Sequence, residues 1–339
     1  MPKRIYIAYT GGTIGMRRRA DGAYAPEPGY LARVLAEMPE LRDPSMPEYT
    51  VAEFAPLLDS ANMTPNDWSR IAVDVHANYN RYDGFVILHG TDTMAYTASA
   101  LAFMLRGLGK PVIFTGAQIP LCEVRSDGRA NLITALQIAA DLPFPEVGLF
   151  FGERLLRGCR ATKINTSGFA AFESPNCPPL GMAGIAVTLN HGLVRPSPPP
   201  DTPLTVQPID AAVRVGALRL FPGISAAFVR AALAEVRGLV LEAFGGGNGP
   251  DHDAEFMLAL REASAQGKVI VDCTQCLYGS VDLERYATGS SLARVGVISG
   301  YDLTAEAALT KLLYLFSAGH SAEEVRHLMV TDLRGELSR

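Results

Sequence analysis

Short, continuous apolar segments recur along the first half of the chain, and a segment with helical character follows most of them. Continuous runs of this kind are typical of strands buried on both faces of a parallel sheet. They predict strands at residues 5–8, 51–56, 85–88, 112–115 and 147–151, and helices at 31–38, 65–79, 94–105 and 127–140. Because strands that alternate with helices form βαβ units, we predict an α/β domain with a mainly parallel sheet.

The same alternation returns near the end of the chain, with strands near 215–221, 238–243 and 268–272 and helices near 225–236, 254–266 and 305–318. Between the two sets, residues 192–212 contain six prolines and show little periodicity, which is typical of a linker. We therefore expect an N-terminal catalytic α/β domain over 1–191, a linker over 192–212 and a smaller C-terminal α/β domain over 213–339. Helices should flank a mainly parallel sheet in each domain.

The composition restricts the classes of partner. The chain has 339 residues, a net charge of −5 and an isoelectric point near 5.7, which argues against a nucleic acid or an anionic membrane as partner. The apolar run after Lys3 and Arg4 is too short for a secretory signal, and no run approaches the roughly 18 residues of a membrane span. Five cysteines, an odd number, suit a reducing compartment, so we expect a cytoplasmic protein. Cys273 and Cys276 lack the second pair that a zinc site needs, which favours structural thiols.

The first strand ends in a glycine turn, Gly11-Gly12, that is followed by Thr13. Glycines let the backbone turn sharply and approach a ligand closely, and open α/β sheets bind ligands beyond the carboxyl ends of their strands. Thr13 is therefore our candidate nucleophile, and the N–H groups of the turn, including that of Gly12, are candidates to stabilise an oxyanion. The spacing matches neither the dinucleotide fingerprint nor a Walker A loop, although a phosphate-binding or purely structural turn stays open.

Thr91 and Asp92 follow another predicted strand of the same domain, so one crevice can hold them together with Thr13. A threonine hydroxyl is a poor nucleophile unless a base takes its proton. Lys163 is the candidate base, because partial burial favours the neutral amine of a lysine, and Asp92 could orient it or bind a substrate ammonium. A purely structural ion pair between Lys163 and Asp92 is the alternative.

Three separate segments resemble the signature segments of the bacterial L-asparaginases: Thr10–Gly15, Asp59–Thr64 and His89–Met94. Ala161-Thr162-Lys163 is similar to the segment that carries the lysine of that family. Four further segments look like the cytoplasmic type I enzymes in particular: Asp83–Thr93, Gly116–Pro120, Phe172–Asn176 and Arg334–Leu337. The resemblance covers nearly the whole chain, and its motifs are ordered and specific.

The resemblance implies an amidohydrolase that cleaves the side-chain amide of L-asparagine, with Thr13 forming an acyl-enzyme. It implies that Thr91, Asp92 and Lys163 activate the nucleophile or the water. Tyr24 corresponds to a flap tyrosine that closes over the substrate and hydrogen-bonds the nucleophile. Asp59 and Ser60 resemble residues that hold the α-amino and α-carboxylate groups, with Asp92 sharing the ammonium, and the backbone near Ala117 resembles the part that meets the leaving amide.

The resemblance further implies that no metal or organic cofactor is needed and that the chain forms a homo-oligomer, either a dimer or a tetramer. Some cytoplasmic members bind a second, activating asparagine between subunits. The segments that would form such a site here include Thr162, Glu242, Asn248 and Asp272, and the acids at 242 and 272 do not suit a substrate carboxylate.

Other functions stay open at this point. The same chemistry could act on glutamine or D-asparagine, or serve the asparaginase-like subunit of a tRNA amidotransferase, which usually carries an additional N-terminal domain. A non-catalytic amino-acid sensor on the same fold would be expected to lack the nucleophile or the lysine, yet Thr13 and Lys163 are both present. A nucleotide-binding oxidoreductase is disfavoured because the glycine fingerprint is missing.

Overall fold

The computed structural model describes residues 2–284 and 287–338. The chain divides into two compact units. The first unit comprises Met1–Ser174 and Pro178–Val206, and the second comprises Pro175–Cys177 and Gln207–Arg339. The predicted boundaries at 191, 192–212 and 213 stay a prediction.

The first unit contains a large mixed sheet and four α-helices among its described residues. Its strands are β1 (Arg4–Gly11), β2 (Met16–Arg18), β3 (Tyr24–Pro26), β4 (Glu48–Leu58), β5 (Gly84–Leu88), β6 (Leu105–Arg106), β7 (Val112–Thr115), β8 (Val147–Phe151), β9 (Arg154–Arg157), β10 (Thr162–Lys163), β11 (Phe172–Glu173), β12 (Gly181–Ala183), β13 (Val187–Leu189) and β14 (Thr205–Val206). Its helices are α1 (Tyr30–Glu37), α2 (Pro65–Asn78), α3 (Met94–Met104) and α4 (Gly128–Asp141).

The large sheet has eight strands in the order β13-β12-β9-β8-β7-β5-β1-β4. The pairings β8–β7, β7–β5, β5–β1 and β1–β4 are parallel. The pairings β8–β9, β9–β12 and β12–β13 are antiparallel. β1 lies between β5 and β4, with Tyr9 opposite both Leu88 and Glu53. The three strands whose carboxyl ends precede the candidate site residues are therefore neighbours in the sheet.

The core of the first unit explains why these segments form strands and helices. All five residues of β5 are buried, as expected for a continuous apolar strand that is covered on both faces. A core cluster of this unit includes Ile5, Ile7 and Tyr9 of β1 and Leu132 and Leu136 of α4. Burying this apolar surface is the main force that holds the sheet and its helices together.

The start of α2 confirms the capping signal in the sequence. Thr64 and Asp67 form a capping box with Pro65 in the first turn, so two backbone N–H groups at the helix start obtain partners. Residues 17–30 are polar and contain Gly22, Pro26 and Pro28, a composition that predicts a loop or flap. The structure instead has the short antiparallel hairpin β2–β3 in this region, in which Arg18 pairs with Tyr24. The polar composition of this hairpin gives no apolar alternation from which to predict its strands.

The second unit contains a four-stranded parallel sheet in the order β15-β16-β17-β18. Its strands are β15 (Val215–Arg219), β16 (Gly238–Ala243), β17 (Val269–Thr274) and β18 (Val297–Ser299), and its described helices are α5 (Ala226–Ala234), α6 (Ala254–Ala265), α7 (Ala287–Arg294), α8 (Ala305–Ser317) and α9 (Ala322–Met329). The predicted α/β class, with helices flanking mainly parallel sheets, is confirmed for both units. No helix in the described ranges is long and apolar enough to cross a membrane.

Candidate active site

The carboxyl ends of β1, β4 and β5 carry the residues that the sequence analysis selects. β1 runs into the single helical turn Thr13–Gly15, β4 runs into the turn Ser60–Asn62, and β5 runs into the loop before α3. Because these parallel strands are adjacent, the three loops emerge side by side at one edge of the sheet.

Two glycines allow the loops to approach more closely than side chains would permit. Gly12 has a φ of 89°, and a Cβ on it would overlap the backbone nitrogen of Gly90. A Cβ on Gly90 would lie 2.5 Å from the hydroxyl oxygen of Ser60 and 3.4 Å from the Cα of Gly12. The three signature loops therefore meet at Gly12, Ser60 and Gly90, which places Thr13, Asp59 and Thr91 around one small region.

Lys163 forms the most direct link among the candidate catalytic side chains. Its Nζ donates hydrogen bonds to Thr91 Oγ1 at 2.8 Å and to Asp92 Oδ1 at 2.7 Å. The Lys163 side chain is 17% exposed, whereas that of Asp92 is 63% exposed. Strand β10 holds the lysine by pairing with β11, where Phe172 is buried. The structure thus brings Thr91, Asp92 and Lys163 into one hydrogen-bonded group.

Thr13 lies half-buried at the start of its turn, and its hydroxyl has no hydrogen bond within the described part of the chain. Tyr24 lies on the flap hairpin, is 42% exposed and donates from its hydroxyl to Glu123 Oε1 at 2.7 Å. This hydrogen bond to Glu123 raises the pKa of the Tyr24 phenol. The Tyr24 hydroxyl is therefore hydrogen-bonded to Glu123, and no hydrogen bond joins Tyr24 to Thr13 among the described residues.

Asp59 and Ser60 have different environments. Asp59 is exposed, and its carboxylate accepts a hydrogen bond from the backbone of Ala61 at 3.1 Å, which orients it at the start of the short helical turn. Ser60 is 2% exposed and lies beneath Gly90. Its carbonyl accepts a hydrogen bond from the Thr93 hydroxyl at 2.8 Å, which ties this loop to the Thr91–Asp92 loop.

Ala117 and Gln118 follow β7 and approach the site from its other side. Ala117 is buried, and a Cβ at Gly128 would contact both the Ala117 and Ile14 side chains, so the β7 loop packs beside the Thr13 turn. Gln118 Oε1 accepts from the Thr91 hydroxyl at 3.3 Å, and its Nε2 donates to the Gly168 carbonyl at 3.1 Å. The sequence alone favours a turn or capping amide at Gln118, although its place in the loop that follows a buried strand is the signal for a site residue.

His89 lies directly after β5, before the Thr91–Asp92 loop, and is a packing residue. It is fully buried, its ring packs edge-on against Phe114, and its Nδ1 lies 2.6 Å from the Gly90 carbonyl. Burial lowers its pKa to about 4, so the ring is neutral at neutral pH. A neutral, enclosed imidazole supports the backbone of the Thr91 loop.

The residues considered for a second asparagine lie on separate units. In the second unit, Glu242 pairs with Arg219 at 3.5 Å, and the Asn248 amide oxygen accepts from Thr288. Asp272 is fully buried, neither carboxylate oxygen has a hydrogen-bond partner, and burial raises its pKa to about 8. Thr162 lies on β10 of the first unit.

Metal-binding clusters and disulfides are not found in the part of the chain that the structure describes. No group of three or more His, Cys, Asp or Glu side chains is arranged to hold a metal ion there. None of the five cysteines forms a disulfide there; Cys273 is buried on β17, where burial raises the pKa of its thiol, and Cys276 is exposed.

Both units match models of known protein families. The family model described as "Asparaginase, N-terminal" matches residues 4–195, and "Glutaminase/Asparaginase C-terminal domain" matches residues 214–329. The chain belongs to the asparaginase family. The asparaginase N-terminal match includes every candidate catalytic residue, from Thr13 to Lys163.

Individual relatives of the asparaginase family cover the chain almost completely. The chain is 54% identical to "L-asparaginase 1" of Escherichia coli strain K12 over 337 residues, which is 99% of this chain and 98% of that protein. The crystal structure of L-asparaginase I from Vibrio cholerae is 50% identical, covers 100% of both chains and superposes with a TM-score of 0.92. The thermostable L-asparaginase from Thermococcus kodakarensis is 34% identical, covers 99% of both chains and has a TM-score of 0.89.

Proposed function

We propose that this protein is an L-asparaginase, which hydrolyses the side-chain amide of L-asparagine to L-aspartate and ammonia. The names of the similar proteins support the reaction. The observation that carries the proposal is the hydrogen-bonded group of Thr91, Asp92 and Lys163, set beside the point where the Gly12 and Gly90 loops meet. A nucleophile, a candidate base and backbone donors thereby surround one region.

The first half-reaction in this proposal forms an acyl-enzyme on Thr13. The Thr13 hydroxyl oxygen bonds to the amide carbon, the carbon–nitrogen bond breaks, and the hydroxyl proton leaves with the amide as ammonia. The tetrahedral intermediate carries negative charge on oxygen, which the N–H groups of the glycine turn would stabilise. In support, Thr13 is only half-buried and its hydroxyl is not engaged by another described residue.

The second half-reaction hydrolyses the acyl-enzyme and depends on Thr91, Lys163 and Asp92. Water bonds to the acyl carbon, and its proton passes to Thr91, whose own proton is accepted by Lys163 acting as the base. As the ester bond breaks, the departing Thr13 oxygen takes a proton back from Lys163 through Thr91, which regenerates the Thr13 hydroxyl, and aspartate leaves. The short contacts of Lys163 with Thr91 and Asp92 support this route, since a base acts best when a third group orients it.

Substrate recognition in the proposal uses groups on the loops that follow β4, β5 and β7. Asp59 and Ser60 would hold the α-amino and α-carboxylate groups, and Ala117 would meet the amide through its backbone. Asp92 uses Oδ1 for Lys163, so that Oδ2, which has no hydrogen bond to the described residues, is available to the substrate ammonium. Tyr24 would have to leave Glu123 to cover the substrate.

We also propose that the protein acts as a cytoplasmic homodimer or homotetramer, without a cofactor and without a nucleic-acid or membrane partner. The resemblance to type I asparaginases supports the assembly and the independence from a cofactor, and an odd number of cysteines suits a reducing compartment. Light scattering of the purified protein tests the assembly: a single monomer peak at the enzyme's working concentration would contradict it.

The reaction is tested by ammonia release from L-asparagine, L-glutamine and D-asparagine. We expect wild type to turn over L-asparagine with the largest kcat/KM, and Thr13→Ala to lose turnover with its fold intact. Thr188→Ala is the matched control, because Thr188 is exposed on the edge strand β13 and its hydroxyl bonds, among the described residues, only to the Met182 carbonyl. Asparagine binding without ammonia release in wild type would favour an amino-acid sensor, and a larger kcat/KM for L-glutamine would favour a glutaminase.

A further inference from the structure

Two neighbouring side chains of the large sheet contact the two ends of the flap hairpin β2–β3. The hairpin begins directly after Gly15, the last residue of the Thr13 turn, and ends three residues before Gly29. Tyr9 of β1 contacts the first end, and Glu53 of β4 contacts the second. Because Tyr9 and Glu53 lie opposite each other in the parallel pairing of β1 with β4, their side chains leave the sheet on the same face.

Tyr9 is completely buried against the turn that carries Thr13. A Cβ on Gly15 would lie 2.2 Å from the Tyr9 hydroxyl oxygen, so the phenol packs directly on the backbone at the end of that turn. The hydroxyl is buried and has no hydrogen-bond partner among the described residues. Burial, and after it the charge of Glu53, raises the pKa of the Tyr9 phenol, so the hydroxyl keeps its proton and can donate it.

Glu53 fixes the point at which the chain passes from the flap hairpin into α1. Its Oε2 accepts a hydrogen bond from the backbone N–H of Gly29, the residue before α1, at 2.7 Å. The helix that follows packs Leu31 and Leu35 into the core cluster that also contains Tyr9. The other carboxylate oxygen of Glu53, Oε1, is buried and has no hydrogen-bond partner in the part of the chain that the structure describes.

One donor and one acceptor are thus buried on adjacent strands, and neither has a partner within residues 2–284 and 287–338. Because buried polar atoms are nearly always paired, an unpaired donor beside an unpaired acceptor indicates a second arrangement in which the two meet. A hydroxyl that bonds to a carboxylate forms one of the stronger hydrogen bonds in proteins. Since each side chain contacts one end of the flap hairpin, a movement of the hairpin shifts both contacts and can bring the two groups together.

We propose that Tyr9 and Glu53 are positioning residues for flap closure: the Tyr9 hydroxyl donates to Glu53 Oε1 when the hairpin moves over the substrate. The inference rests on the proposed function, in which Tyr24 leaves Glu123 and covers the substrate at Thr13. The new hydrogen bond replaces the one that Tyr24 gives up, and it forms only in the closed state. An interaction of that kind stabilises the transition state relative to the free enzyme and therefore raises kcat/KM.

Tyr9→Phe, which removes only the hydroxyl oxygen, tests the inference in assays of ammonia release from L-asparagine with urea unfolding alongside. We expect kcat/KM to fall about tenfold or more, the range for losing a hydrogen bond to a charged group. The urea midpoint should not fall, because the hydroxyl has no partner to lose among the described residues. This separation of activity from stability is the result that a purely structural tyrosine would not give.

Tyr49→Phe is the matched control, because it removes a phenol hydroxyl from the same strand as Glu53. The Tyr49 hydroxyl donates to the Leu35 carbonyl at 3.3 Å, so the control should lower the urea midpoint and keep the kcat/KM of wild type. Glu53→Gln then tests whether the two residues act together. Tyr9→Phe should cost less activity in the Glu53→Gln background, where the charge of the acceptor is gone.

Three results would overturn the inference while the proposed function stands. The first is a kcat/KM of Tyr9→Phe within about twofold of wild type, which is below the range for a charged hydrogen bond. The second is a Tyr9→Phe loss of the same size with and without Glu53→Gln. The third is a Tyr9→Phe loss accompanied by a drop in urea midpoint as large as that of Tyr49→Phe, which would assign Tyr9 a structural role. If wild type itself releases no ammonia from L-asparagine, the proposed function fails and this inference fails with it.

Discussion

The buried ion pair between Lys311 and Glu336 predicts a large loss of stability when one partner is removed. Lys311 Nζ lies 2.5 Å from Glu336 Oε1, and both side chains are completely buried. The ammonium also donates to the carbonyls of Met329 at 3.1 Å and Thr331 at 2.6 Å, so its hydrogen-bonding capacity is fully used. Lys311→Met should therefore destabilise the second unit by about 3–5 kcal/mol, the usual cost of leaving one buried charge without its partner.

The size of this destabilisation follows from the hydrogen bonds that Glu336 would keep in Lys311→Met. Its carboxylate still accepts from the backbone N–H groups of Leu333, at 3.0 Å, and Arg334, at 2.6 Å, but these neutral donors cannot replace the ammonium. The double variant Lys311→Met/Glu336→Gln removes both charges, so its cost should be smaller than the sum of the two single variants. Glu336 also gives a physical role to the segment Arg334–Leu337. Its carboxylate pairs with Lys311 of α8 and so attaches this segment to that helix.

Urea unfolding monitored by amide hydrogen exchange in α8 assigns the loss to the second unit, which matters because a chain with two units need not unfold in one step. Arg214→Met serves as control: Arg214 lies 2.8 Å from Glu235, but both side chains are more than 70% exposed, so its loss should cost about 0–1 kcal/mol. A loss in Lys311→Met below about 1 kcal/mol, or one equal to that of the control, would refute the reasoning.

Three further predictions concern the site and the pH dependence of stability. Lys163→Met should lower kcat for ammonia release by about 10²–10⁴-fold, as expected for a positioned base, whereas a loss below about tenfold would favour a structural ion pair with Asp92. Gly12→Ala should abolish turnover because its Cβ would overlap Gly90, while Gly22→Ala, with a similar φ of 86° and no atom within 4 Å, should remain active; equal activities would contradict the loop contact. Asp272 has a carboxyl pKa raised by burial from 3.8 to about 8, so its contribution to stability is complete below pH 3.8 and is lost as pH rises through 8. Asp272→Asn should flatten the decline in urea midpoint between pH 4 and 8, and an unchanged slope would argue against a protonated Asp272.

Much of the fold could be predicted because the central strands are buried on both faces. The continuous apolar segments at 85–88 and 112–115 became β5 and β7 almost residue for residue, and Thr64 with Asp67 marked the start of α2 by local chemistry. By contrast, β9, β12 and β13 are short antiparallel strands that carry no long apolar run. β9 forms a local hairpin with β8, and β12 with β13, whereas Leu155 of β9 pairs with Gly181 of β12, which is distant in sequence. The pairing of β9 with β12 depends on tertiary contacts that no local pattern reveals.

The candidate site, like the fold, could be predicted from the sequence only in part. Its loops could be placed at one edge because parallel strands deliver their carboxyl ends together, and the contacts among Thr91, Asp92 and Lys163 agree with that expectation. The contacts of Gln118 with Thr91 and of Tyr24 with Glu123 could not be predicted, since each joins side chains from separate loops. The orientation of such side chains is decided by packing around them.

The central claim is that Thr13 carries the acyl group, although Thr91 is the threonine that Lys163 contacts. The most direct test is rapid acid quench of the enzyme during turnover of L-asparagine, followed by peptide mapping with mass spectrometry. Using Lys163→Met, in which deacylation should be slow, we expect an aspartyl ester on the peptide that contains Thr13. An ester on the peptide that contains Thr91, or an adduct that persists in Thr13→Ala, would contradict the account.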